Sequence, residues 1–122
     1  MQIEKYRNSQ TFGANLNKEF IDFARSYINT KPNKLKNNYK LNNKIDDFKN
    51  FGHDYLTIGL YQKHAGYGDK YMLVARKEGQ KLKEGTVIAC KDSFNHLLKA
   101  FLGMKKKEFI TRLYIGKKYK SM

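Results

Sequence analysis

Residues 54–102, DYLTIGLYQKHAGYGDKYMLVARKEGQKLKEGTVIACKDSFNHLLKAFL, decide the fold, because they read as three β-strands followed by one amphipathic helix. From Tyr55, Leu56, Ile58 and Leu60 alternate with Thr57, Gly59 and Tyr61, the period-2 pattern of a strand with one aliphatic and one tyrosine-bearing face. KHAGYGDK then supplies glycines and an aspartate, residues suited to the backbone conformations of a turn, so a long hairpin is expected. Its second strand, Lys70 to Lys77, is almost continuously apolar at its centre and belongs in the middle of a sheet. After a Lys/Gly-rich turn, Thr86 to Cys90 makes a short third strand. Asp92 or Ser93 can cap the helix that follows, in which Phe94, Leu97, Leu98, Phe101 and Leu102 form one apolar stripe. The expected fold class is α+β: a small three-stranded antiparallel sheet with an N-terminal helix and C-terminal helices packed against it.

Upstream, residues 1–14 are polar with isolated Ile3, Tyr6 and Phe12, and read as an arm or an edge strand. Asn15 is a candidate N-cap for a helix in which Leu16, Phe20, Ile21, Phe23, Ala24, Tyr27 and Ile28 form the apolar side. That helix should end by Thr30, because Pro32 disfavours the α conformation at Lys31. Residues 31–44 read as a flexible Lys/Asn-rich loop. Leu35, Tyr39 and Leu41 alone offer too little apolar burial to offset the ordering entropy, although the lysines are able to wrap a phosphate backbone. Ile45, Phe48 and Phe51 suggest a short second helix ended by Gly52.

The 122 residues suit a single domain, 1–122. Their 25 Lys+Arg against 11 Asp+Glu give a formal charge of +14, a self-repulsion that a polyanion would relieve. Residues 103–122 form a basic C-terminal segment, with seven positive charges between Lys105 and Lys120 against Glu108 alone. Cys90 is the only cysteine, which excludes an internal disulfide and a cysteine-based zinc site. In a hydrophobic strand it is expected to act as a small core residue. No apolar run approaches the ~20 residues of a membrane span, and MQIEKYRNSQ lacks the apolar core of a signal peptide. A cytoplasmic location is therefore expected.

Two constellations point to nucleic acid. One is the C-terminal set Lys105, Lys106, Lys107, Arg112, Lys117 and Lys118. The run from Leu98 through Gly103 to Phe109 resembles a helix-turn-helix whose second helix opens with three lysines, which implies base-edge or phosphate contacts from its N-terminus. It departs from that motif at Lys99, where a small residue is usual, and at Arg112, which occupies a usual core position. The other set is on the hairpin, where Tyr61, His64 and Tyr67 interleave with Lys63, Lys70 and Arg76. Rings that stack on bases beside cations that pair with phosphates suit single-stranded nucleic acid. The order helix, three strands, helix is similar to that of double-stranded RNA-binding domains. Asp92-Ser93-Phe94 stands where those domains begin their helix with lysine and alanine, so only the element order is shared.

An enzyme is the competing class. His53, Asp54, His64 and His96, with lysines and tyrosines, are the residue types of metal-independent RNA cleavage, as in small ribonuclease toxins, but their spacing forces no convergence. Asp46 and Asp47 are adjacent and diverge on a helix, and Gly66-Tyr67-Gly68 lacks the lysine and hydroxyl residue of a phosphate loop. The expectation is a non-catalytic nucleic-acid-binding protein without cofactor or metal, RNA ahead of DNA, of the kind found among phage and mobile-element accessory factors. The partner alternative is a host nuclease or ribonucleoprotein that the protein inhibits in the manner of an anti-CRISPR.

Overall fold

The computed structural model describes residues 14–49, 56–65, 68–77 and 79–121. Residues 1–13, His53, Asp54, Tyr67 and the helix cap expected at Gly52 lie outside them. The class is α+β: four helices lie against a four-stranded mixed sheet of order β1-β2-β3-β4. The strands are β1 (Ala14–Leu16), β2 (Leu56–Ala65), β3 (Gly68–Lys77) and β4 (Thr86–Lys91).

The expected three-stranded antiparallel sheet is corrected by β1, which pairs in parallel with β2, Leu16 beside Ile58. A strand of three residues, of which Leu16 is buried, is too short to give a period-2 signature, so this strand is invisible in the sequence. Parallel pairing demands a crossover connection. Here it holds α1 (Lys18–Asn29) and α2 (Lys34–Lys49). Asn17, not Asn15, caps α1, its side chain accepting from Glu19 N at 2.8 Å and Phe20 N at 3.3 Å. Asn15 instead pairs with Thr57 in the ladder.

The second correction is α2, which occupies most of the stretch expected to be a flexible loop. Its four asparagines are poor helix formers. What overrides them is Leu41, Ile45 and Phe48, at i, i+4 and i+7, with Leu41 and Phe48 fully buried. Two asparagines tie α2 to α1: Asn38 Nδ2 donates to Asn29 Oδ1 at 2.9 Å, and Arg25 donates to Asn42 Oδ1 at 2.5 Å.

The helices cover one face of the sheet. Ile58, Leu73, Ala75, Ile88 and Ala89 meet Phe20, Phe48, Leu97 and Phe101 there. Phe101 of α3 (Phe94–Gly103) lies edge-on to Phe20 and Phe48, each at 5.3 Å between ring centroids. Phe109 of α4 (Lys106–Ile115) closes the same cluster at 4.7 Å from Phe48. Ser93, rather than Asp92, caps α3, accepting from His96 N. On the opposite face Met72, Val74 and Val87 pack under Tyr61, Leu82, Cys90 and Tyr119, so β3 is buried on both sides, as its continuous apolarity requires.

Strand β4 carries a bulge. Leu73 pairs with Ala89 and Val74 with Val87, which leaves Ile88 extra and turns both Ile88 and Ala89 toward the helices. The chain then returns along β4: Val87 N donates to Lys117 O and Tyr119 N to Gly85 O. Gly116 permits this close return, since a Cβ there would stand 2.5 Å from Arg112 O and 2.7 Å from Val87 O.

Candidate nucleic-acid interface

A cationic concavity lies between α1, α2 and α3, a groove of about 570 Å³. One wall is Asn33, just before α2, and a polar stripe of α2 in which Lys36, Asn37, Lys40, Asn43, Lys44 and Asp47 lie on one side. The burial of Leu41, Ile45 and Phe48 sets the rotation of α2, and that rotation turns the stripe into the groove. The facing wall is α3, with Asn95, Lys99 and Gly103, and the C-terminal turn of α1 with Tyr27 closes one end beside Lys31. The half-buried Leu102, with Ile28 and Leu98 buried in the lining, forms an apolar floor.

Five lysines face Asp47 as the one acidic residue lining this groove. Lys44 is a tie, its Nζ donating to Met104 O at the end of α3 at 2.5 Å, where a cation also complements the helix dipole. Lys31 lies 4.9 Å from the centroid of the Tyr27 ring. Lys36, Lys40 and Lys99 have no carboxylate partner among the described residues. Lys36, Lys40 and Lys44 follow one another at i, i+4 and i+8, a like-charge series that costs a helix about 0.2–0.5 kcal/mol per pair. Three lysines without a carboxylate partner among the described residues therefore line one groove.

The residues singled out by sequence are divided by the fold. Lys105 is the N-cap position of α4 without a side-chain cap, and Lys106 and Lys107 begin its first turn, all exposed. They adjoin the groove, which reaches Gly103 and is tied to Met104 by Lys44. Arg112 does a structural job: it pairs with Glu108 at 2.7 Å and donates to Ile88 O, the carbonyl of the bulged residue, at 2.8 Å. Lys117 supplies its carbonyl to Val87, while Lys118 Nζ donates to Glu84 O at 3.2 Å. Helix α4 therefore packs on β4 and α2 rather than standing free, and its aromatic residues are divided, Phe109 buried and Tyr114 83% exposed.

On the hairpin, Tyr61 is half-buried against Tyr119, and its hydroxyl accepts from Arg76 at 3.0 Å, with the guanidinium 5.8 Å from the ring centroid. Lys63 pairs with Lys70, and His64 with Asp69, across the two strands. Lys70 is bonded to Asp92, which raises its pKa and holds the Asp92 carboxyl below the usual carboxylate range. Tyr61 and Arg76 therefore face away from the helical layer and are not brought together with the groove. His96 sits in the first turn of α3 with Nδ1 2.7 Å from Ser93 Oγ, part of the helix cap. Among the described residues no group of three or more His, Cys, Asp or Glu is arranged to hold a metal ion, and no helix is long and apolar enough to cross a membrane.

Sequence reasoning did not select Lys31, Lys36, Lys40, Lys44 or Lys99 as site residues. The available signal was the spacing of Leu41, Ile45 and Phe48, which joins the Lys/Asn run to the helix after it. Compared with protein-family models, with curated proteins and with solved structures, the chain shows no match.

Proposed function

We propose that this protein is a non-catalytic nucleic-acid-binding protein that holds the phosphate backbone in the α1–α2–α3 groove, with the start of α4 extending the contact. The observation that supports this most is the set of three lysines, Lys36, Lys40 and Lys99, that converge without a carboxylate partner among the described residues. Phosphates replacing condensed counterions would relieve the like-charge repulsion along α2 and make binding steeply salt-dependent. Lys105 and Lys107 stand at the positive end of the α4 dipole, where an anion is stabilised and additional cations are not. RNA is favoured over DNA because the groove asparagines carry amide groups able both to donate to and to accept from a 2′-hydroxyl.

The test begins with purification from cells at low salt. The preparation is expected to carry nucleic acid, seen as an elevated ratio of absorbance at the nucleic-acid and protein maxima that falls after a high-salt wash. Labelled RNA should then bind intact. A ratio at the pure-protein value together with no binding of RNA or DNA at low salt refutes the reading, and RNA cleavage would replace it with a nuclease.

A further inference from the structure

Resting on that reading, we propose that the groove takes a single strand rather than a duplex. Its phosphates lie along Lys36, Lys40 and Lys99, and its bases turn to the floor, where Asn95 meets them beside Tyr27. The first support is size. A half-open groove of about 570 Å³ lined by three helices holds one or two nucleotides, whereas a duplex presents a broad convex surface that reaches only its rim. The lysines stand on both α2 and α3, so both walls of the groove are positive. A thin backbone can satisfy both walls at once; a wide one cannot.

The second support is the chemistry at the floor. Tyr27 donates its hydroxyl proton to Asn95 Oδ1 at 3.0 Å, which fixes the amide so that Nδ2 is the group left to donate. No acceptor for Nδ2 is present among the described residues. In the same groove the half-buried Leu102 offers an apolar surface to a base removed from a stack, while Ile28 and Leu98 are buried in the lining and expose almost none. Lys31, held over the Tyr27 ring only by a cation–π contact, can be exchanged for a base on the same ring. Asp47, at the α2 wall, repels phosphate but accepts from an exocyclic amino group, which again suits a strand whose base edges are open.

The experiment compares a labelled twelve-nucleotide RNA of mixed sequence with the blunt duplex of the same strand, each titrated with the full chain over a range of salt. The strand is expected to bind at least about tenfold more tightly than the duplex in roughly physiological salt. Asn95→Ala should reduce strand affinity about tenfold, reduce duplex affinity by a clearly smaller factor and preserve the salt slope. Tyr27→Phe, which keeps the ring packing, should reduce the preference by a smaller factor, so a poorly folded Asn95 variant does not end the test. Equal or tighter duplex binding overturns this inference while leaving nucleic-acid binding intact, as does an Asn95→Ala loss that is the same for both forms. Binding of neither form at low salt overturns both.

Discussion

The two most basic regions of this molecule use their charge differently. In the C-terminal segment Arg112 is committed to Glu108 and the Ile88 carbonyl, Lys118 to the Glu84 carbonyl and Lys120 to the Glu84 carboxylate. These cations fasten the returning chain to the exposed edge of β4, which would otherwise offer unpaired backbone groups to other strands. In the groove, Lys36, Lys40 and Lys99 converge with no such engagement among the described residues. Charge density along a sequence therefore does not measure charge available to a partner. Subtracting the cations that hold the fold moves the candidate interface from the segment richest in lysine to a helix whose composition resembles a loop.

The largest expected effect comes from removing what both regions share. Phe48 touches Phe101 and Phe109 and sets the rotation of α2, so Phe48→Ala should cost roughly 3–5 kcal/mol of stability in denaturant unfolding. It should abolish groove binding at the same time. Next, Arg112→Leu should cost about 1–3 kcal/mol, because the Ile88 carbonyl loses its donor at the bulge, while the salt dependence of RNA binding stays as it was. A reduced salt slope with unchanged stability would reverse the roles assigned to the two regions.

The complementary variant, Lys36→Ala with Lys40→Ala and Lys99→Ala, should do the opposite. The slope of log affinity against log salt should fall by about 2, some 0.7 for each phosphate left without its lysine, with the melting temperature unchanged or slightly raised as like charges leave α2. Lys105, Lys106 and Lys107 changed together to Ala sharpen the comparison at the border of the groove. They should flatten the slope by about 0.7 for each phosphate no longer neutralised and weaken all sequences alike.

The smallest effect is that of pH through the Lys70–Asp92 pair. The lowered pKa of Asp92 contributes stability that is present above its unfolded value and lost as pH falls through the folded one, below about pH 4. The raised pKa of Lys70 contributes stability that is lost only as pH rises beyond about 10. Both groups are exposed, so Asp92→Asn should leave the thermal midpoint at neutral pH nearly unchanged.

The central hairpin, β4 and α3 are legible in the sequence because their apolar periods are long and their turns carry Gly or a capping Ser. Strand β1 is not, since a three-residue parallel strand depends on a partner distant in the chain for its hydrogen bonds. Helix α2 is misread for a different reason: composition argues for disorder, and only tertiary burial of Leu41 and Phe48 argues against it. The site follows the same division. The lysines from 105 to 107 are visible as a run, whereas the groove joins Lys36 to Lys99 across three helices, a proximity no local pattern encodes. Tyr61 and Arg76 look like a stacking surface in sequence because alternation shows which face they share, not that Tyr119 returns to cover it.

Titrating the isotopically labelled chain with a short single-stranded RNA, and following each backbone amide by NMR, tests the groove most directly. The account predicts shifts concentrated in residues 31–44 and 95–107, with the hairpin and residues 112–120 nearly still. Shifts confined to the hairpin or the C-terminal return, with α2 unmoved, would contradict it.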